Sequence, residues 1–231
     1  MENVCKCMGC GIVSYFEIDG VEHYPIDLFG DDCLCWSCYT CVEDIIEPTK
    51  ITDYSRSDAE LEAFWIFCIM VAGRNSDFAA KKVGDMLRDK PPPFEFFQSM
   101  MPNGVRNYLE VHKVGQYNRI NRAIVESLKL DLRTCSLKDL VSVHGVGFKT
   151  ACFFLLHSRK GSEVCVLDTH ILRYLRENGF ALAPKTSPQK IKDYEAWGEI
   201  WATVRKKRFP HLSAADADLL VWTLMSGRLK D

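Results

Sequence analysis

From residue 58 onward the apolar residues recur at helical spacing almost without a break, and the segments between them are short. The run AELEAFWIFCIMVAG, ending at Gly73, is apolar on nearly every face and predicts a central buried helix. DFAAKKVGDMLRDK is amphipathic and is stopped by Pro91-Pro92-Pro93. FEFFQSM predicts a short helix. GQYNRINRAIVESLKL predicts another, with Ile120, Ala123, Ile124 and Leu128 on one face. Further helices are expected at 136–142, 148–158 and 169–178, and two more close the chain in SPQKIKDYEAWGEIWATVRKK and SAADADLLVWTLMSG. The first 48 residues differ. GIVSYFEIDG and VEHYPID are short and strand-like, with turn residues between them. Glu47-Pro48-Thr49 opens a join that runs to about Ser57, where Ser57 or Asp58 is a good helix N-cap. The pattern therefore predicts a small module over 1–50 and an all-helical domain over 58–231, with no internal repeat and no low-complexity tract.

Charge sharpens this division. The whole chain carries −2, but residues 1–50 hold 2 Lys and 10 Asp/Glu, a net of −8. Residues 51–231 hold 27 Lys/Arg and 21 Asp/Glu, a net of +6, which suits a polyanion binder. No apolar run reaches the ~18 residues of a membrane span. MENVCKCMGC lacks the basic and apolar regions of a signal peptide. A soluble, intracellular protein of the cytoplasm or nucleoid is expected, with no membrane partner.

Seven of the 11 cysteines lie in the first 41 residues. Cys7-x-x-Cys10 and Cys35-x-x-Cys38 are two knuckle-like pairs that can present four thiolates to one tetrahedral Zn²⁺. Cys38-x-x-Cys41 competes for the second pair, and Cys5 and Cys33 are spare. CWSCY favours Cys35 and Cys38. A zinc-ribbon-like module follows, with a structural Zn²⁺, because about 50 residues cannot hold a core unaided. The module is too acidic to bind phosphate, so it packs on the helical domain or a protein partner. Cys68, Cys135, Cys152 and Cys165 sit among apolar neighbours and read as core residues.

Residues 137–173 concentrate the candidate chemistry. A short helix ends in Gly145-Val146-Gly147, a turn that needs glycine geometry and can aim backbone N–H groups at a phosphate, aided by the N-terminus of the next helix. Lys149 stands just inside that helix, where the dipole disfavours an ammonium. A neutral amine there can attack the sugar C1′ carbon and form a Schiff base, after which β-elimination cleaves the strand. Nineteen residues on, Asp168 can stabilise positive charge developing on the sugar. Each residue also has a plainer reading: Lys149 as a solvated phosphate contact, Asp168 as the N-cap of the helix that follows it.

The segment LVSVHGVGFKTACFFLLHSRKGSEVCVLDTHILR resembles the helix–hairpin–helix DNA glycosylase superfamily, whose best-known members are endonuclease III and 8-oxoguanine glycosylase. Three pieces carry the likeness: the GVGFKTA hairpin, the VLDTHILR segment, and GQYNRINRAI, which is similar to a Gly-x-Tyr-containing helix of endonuclease III. The resemblance spans roughly 58–226 and implies a mainly α, helix–hairpin–helix glycosylase fold. It implies double-stranded DNA with a modified or damaged base as partner, and a monomer. It gives Lys149 the nucleophile's role and Asp168 the carboxylate's, in a DNA glycosylase with associated lyase activity.

The resemblance also implies DNA contacts from His144, Gly145, Val146, Gly147 and Thr150. His144 stands where the superfamily often has proline. A flipped-out base leaves a gap in the duplex, and Arg74 and Asn75, in the loop after the buried helix, are the candidate wedges. The glutamine of endonuclease III is absent there, and Gly73 reads equally as a helix C-cap before a fresh N-cap. The superfamily's iron–sulfur cluster follows the catalytic domain. No cysteine follows Cys165, so no such cluster is expected.

Two other readings stand beside this one. Amino-acid:DNA transferases of phage thymidine hypermodification resemble the same superfamily and attach an amine to an activated base. A non-catalytic DNA-binding protein would keep the hairpin and need neither Lys149 nor Asp168. Arg205-Lys206-Lys207-Arg208 reads as a solvated helix end or a DNA-facing patch. Trp197, Trp201 and Trp222 read as core at helical spacing or as base-stacking rings.

Overall fold

The structure is a computed structural model that describes residues 16–18, 21–23, 45–101 and 103–228. The chain divides into two compact units, Met1–Asp44 and Ile45–Asp231. In the first, β1 (Phe16–Ile18) and β2 (Val21–His23) pair antiparallel with Phe16 opposite His23. Cys7, Cys10, Cys35 and Cys38 lie outside the described residues. Among the described residues no cluster of three or more His, Cys, Asp or Glu could hold a metal.

The second unit is built of helices. α1 (Asp58–Val71) starts at a capping box: Ser57 Oγ accepts from the Glu60 N–H at 3.3 Å, and Glu60 Oε2 accepts from the Ser57 N–H at 2.6 Å. Leu61 and every residue from Ala63 to Met70 are buried, as an all-round apolar helix requires. α2 (Ser76–Leu87) ends before the proline run, and Pro93 then opens α3 (Pro93–Ser99) at a position where no N–H is needed. The apolar pattern does not mark α4 (Gly104–Val111). It is short and opens on Asn103-Gly104, and it buries only Val105 and Leu109, one turn apart. α5 (Tyr117–Ser127) buries Ile120, Ala123 and Ile124 on the expected face. It receives a hydrogen bond from α1, Trp65 Nε1 to Ser127 Oγ at 2.8 Å.

The remaining elements are α6 (Leu137–Ser142), α7 (Phe148–Ser158), α8 (Thr169–Glu177), α9 (Ile191–Arg208) and α10 (Ala214–Ser226). Two apolar cores form. One surrounds α1 and includes Ala151, Phe154 and Leu155 of α7. The other gathers α8, α9 and α10, with Leu172, Tyr194, Trp201 and Val221, and includes Cys152 and Leu156 of α7. α7 is thus shared by both cores. Cys68, Cys135 and Cys152 are buried free thiols, Cys165 is half-buried, and all four are packed within or against the cores.

Residues 45–57 pack onto this unit rather than spanning open space. Ile46 and Ile51 are buried in the first core. Arg56 is buried too, and its guanidinium donates to the carbonyls of Ile51 (2.6 Å), Asp53 (2.8 Å) and His157 (3.1 Å) while lying 4.1 Å from the Phe64 ring centre. Among the described residues no helix is long and apolar enough to cross a membrane.

Candidate active site

The hairpin between α6 and α7 is held from three sides. α6 begins at a capping box made by Ser136 and Asp139. Val146 is buried, and its N–H bonds the Val143 carbonyl at 3.1 Å, so this residue anchors the turn. Arg119 of α5 donates from one guanidinium to Gly145 O at 3.4 Å and to Ile69 O, in the last turn of α1, at 2.9 Å. Gly145 has φ +76°, a conformation glycine adopts at no steric cost. The His144 N–H is taken by Glu126 Oε2 at 2.7 Å. Among the described residues no protein acceptor takes the N–H of Gly145 or Gly147, so these two, with the first turn of α7, form the surface a phosphate can meet. Thr150 is buried in that first turn.

Lys149, Phe153 and His157 follow at four-residue steps along α7 and line one cleft of about 740 Å³. It opens where α7 joins the two cores. Asp168 and His170, at the start of α8, line it as well, and so do Asp218 and Trp222 of α10. The tertiary structure therefore brings Lys149 and Asp168 to one space, large enough for a nucleotide. Asp168 is also the N-cap of α8, with Oδ1 accepting the Ile171 N–H at 2.8 Å. One oxygen caps the helix, and the residue still lines the cleft.

Arg74 and Asn75 rim the same cleft. Arg74 hydrogen-bonds the Val114 carbonyl, which ties its loop to the α4–α5 connection. Asn75 caps α2, accepting from the N–H groups of Asp77 (2.9 Å) and Phe78 (3.0 Å). The α4–α5 connection is itself sharply bent: Lys113, Gly115 and Gln116 all have positive φ.

The sequence reading missed Asp218 and His157. Asp218 is 5% exposed and His157 fully buried. His157 Nε2 lies 3.3 Å from Asp218 Oδ2, and His157 Nδ1 lies 2.7 Å from Thr52 Oγ1. Burial pushes the Asp218 carboxyl above the usual carboxylate range. The hydrogen bond and charge of His157 oppose that rise, the charge of Asp168 adds to it, and Lys149 opposes it. Among the described residues Asp218 Oδ1 has no hydrogen-bond partner. The signal available in the sequence was one acid within the apolar face of DLLVW, four residues before a tryptophan.

Trp222 is the one of the three noted tryptophans that reaches the cleft. Its ring lies 4.7 Å from the Arg228 guanidinium and is edge-on to His170, and Arg228 is anchored to Asp77 at 2.6 Å. Trp201 is buried in the second core and Trp197 packs against it. Arg205 is buried and paired with Glu163, so the Arg205–Arg208 run is not a uniform surface patch.

No protein-family model matches the sequence. Solved structures do. The 8-oxoguanine glycosylase/lyase of Methanocaldococcus jannaschii, in complex with a 15mer DNA containing 8-oxoguanine, superposes with a TM-score of 0.58 and 20% identity over 84% of this chain and 96% of that one. The 8-oxoguanine DNA glycosylase of Thermotoga maritima gives a TM-score of 0.60 and 21% identity over 84% and 93%. By this structural likeness the chain has the helical fold of these 8-oxoguanine glycosylase structures.

Proposed function

We propose that this protein is a DNA glycosylase with associated lyase activity, acting as a monomer on double-stranded DNA. The observation that carries the reading is the meeting of Lys149 and Asp168 in one cleft beside a phosphate-ready hairpin. A base inside a duplex is out of reach, so the nucleotide turns out into the cleft, whose wall includes the Phe153 and Trp222 rings. The Lys149 amine bonds to C1′ as the glycosidic C–N bond breaks, and the bonding pair leaves with the base. The Asp168 carboxylate stabilises the positive charge that builds on the sugar. Opening of the sugar ring gives a Schiff base, from which β-elimination cuts the strand. Arg74 and Asn75 fill the gap left by the flipped nucleotide, and the acidic N-terminal module binds one structural Zn²⁺ through Cys7, Cys10, Cys35 and Cys38.

The test is borohydride trapping on duplexes carrying single modified bases. A duplex containing 8-oxoguanine heads the panel, because the similar structures are 8-oxoguanine glycosylases. The expected result is a covalent protein–DNA adduct that disappears in Lys149→Gln. Binding without adduct, abasic site or strand cut on every duplex would overturn the reading. Mass gain on an activated hydroxymethyluracil base would turn it toward the amino-acid:DNA transferases.

A further inference from the structure

The cleft holds a second carboxyl group that the Lys149–Asp168 pair leaves without a task. Asp218 comes from α10, opposite α7, and its two oxygens are in different states. Oδ2 is fixed at 3.3 Å from His157 Nε2. Oδ1 is buried and, among the described residues, meets no donor. A buried acceptor left unpaired is costly, so such a group points to a ligand or a reaction step. His157 is fully buried and is gripped at both ring nitrogens. Nε2 meets Asp218 Oδ2, and Nδ1 lies 2.7 Å from the Thr52 hydroxyl oxygen. The His157 carbonyl is held as well, by the Asp53 N–H at 3.1 Å and by Arg56. Turning the His157 ring would break its contacts with Thr52 and Asp218, while its backbone is held to the 53–56 segment.

Lysine is protonated at neutral pH and must lose a proton before it can attack carbon. Asp168 spends one oxygen on the α8 cap. We propose that Asp218 takes the proton that Lys149 loses and returns it to the group leaving C1′, with His157 as the positioning residue that holds Asp218 for this exchange. The proposal rests on the Lys149 reading above and adds a proton path to it. The balance closes. The ammonium and the carboxylate become an amine and a carboxylic acid. The amine's lone pair forms the N–C1′ bond as the leaving group departs with its bonding pair. The carboxylic acid then protonates that group, base or hydroxide, and is a carboxylate again.

The charged and titratable groups around Asp218 are few. α7 supplies Lys149 and His157, and α8 supplies Asp168 and His170. Arg74 and Arg228 stand at the rim. The Cys165 thiol is pushed up to about 11 by burial and stays neutral near pH 7.

The experiment uses the full chain and a duplex containing one abasic site, where the leaving group is hydroxide and base identity plays no part. Borohydride trapping rates are followed from pH 5 to 9. Asp218→Asn keeps the shape and the His157 contact. It is expected to lower trapping at pH 7 by roughly 10²-fold and to move the optimum up by at least about one pH unit, because the amine must then lose its proton to solvent. Asp218→Glu restores part of the rate. Thr52→Val frees His157 and shifts the profile in the same direction by less, and melting curves confirm that each variant is folded. An unchanged rate and optimum in Asp218→Asn overturns the proposal, as does a loss equal at every pH. Absence of any wild-type adduct on the abasic duplex overturns the lyase reading and this proposal with it.

Discussion

The side chain of Arg119 occupies the place where a β-carbon on Gly145 would go. A Cβ built there would lie 2.6 Å from Arg119 Cγ and 3.1 Å from Cδ, and Gly145 already has φ +76°. The near stem of Arg119, not its flexible end, is in the way, and its guanidinium is bound to Gly145 O and Ile69 O. Gly145→Ala is expected to cost about 1–3 kcal/mol of stability and to weaken binding to an unmodified duplex. Gly147 is the contrast. Its backbone is extended and nothing lies within 4 Å of a built Cβ. Gly147→Ala should melt within a few tenths of a kcal/mol of wild type yet bind DNA more weakly, if the proposed phosphate contact at the hairpin N–H groups is made. Urea titration and a salt-dependent duplex-binding series separate the two.

Asp168 has two duties that a pair of variants can part. Asp168→Asn keeps a good N-cap for α8, and Asp168→Ala does not. Both lose the carboxylate. Base release and trapping should fall by about 10²–10⁴-fold in both. Only Asp168→Ala should also lose stability, by about 0.5–2 kcal/mol. A normal rate in Asp168→Asn would leave the residue a cap and nothing more.

Asp218 is expected to lower stability in exchange for its place in the cleft. Its folded carboxyl is raised above the ordinary value of 3.8, mainly by burial. A raised acid is neutral in both states below the unfolded value, and there it costs nothing. As pH rises through that value the unfolded chain ionises first, and stability is lost until the folded carboxyl ionises too. Asp218→Asn should therefore melt at or above wild type at pH 7–8, with the gap closing as pH falls toward 4. Differential scanning calorimetry across that range gives the sign. A variant less stable at pH 8 than at pH 4.5, relative to wild type, contradicts the burial argument.

Arg56 ties the 51–56 segment to α7 through the His157 carbonyl and braces the segment itself through the carbonyls of Ile51 and Asp53. Arg56→Met preserves much of the contact with Phe64 but strands those acceptors in a buried place. The cost should be about 2–4 kcal/mol, at the upper end of what unsatisfied buried groups give. Trapping on abasic DNA should fall as well, because the segment that holds His157 loosens.

The N-terminal cysteines predict a metal. Zinc released by a mercurial reagent and read with a colorimetric chelator should approach one equivalent per chain. Cys7→Ser or Cys35→Ser should reduce it, and Cys5→Ser should not. Loss of the zinc should leave the helical unit's melting intact, since Ile45–Asp231 is compact by itself.

Much of this molecule was legible along the chain. Local periodicity marked α1, α2, α5 and the helices from α6 to α10, because a helix declares itself through residues three and four apart. α4 escaped, since eight residues with two buried positions behind a turn signal carry too little pattern. Gly145 to Gly147, Lys149 and Asp168 stood out because each needs a particular residue type at a fixed offset. What only the tertiary structure decided was who meets whom. Asp218 lies 61 residues from His157, and Thr52 lies 105 from it. No local rule joins positions so distant, and an acid inside an apolar helix reads the same whether it is exposed or sealed in a cleft. Packing of α7 between two cores settled that, and with it which carboxyl groups share a space with Lys149.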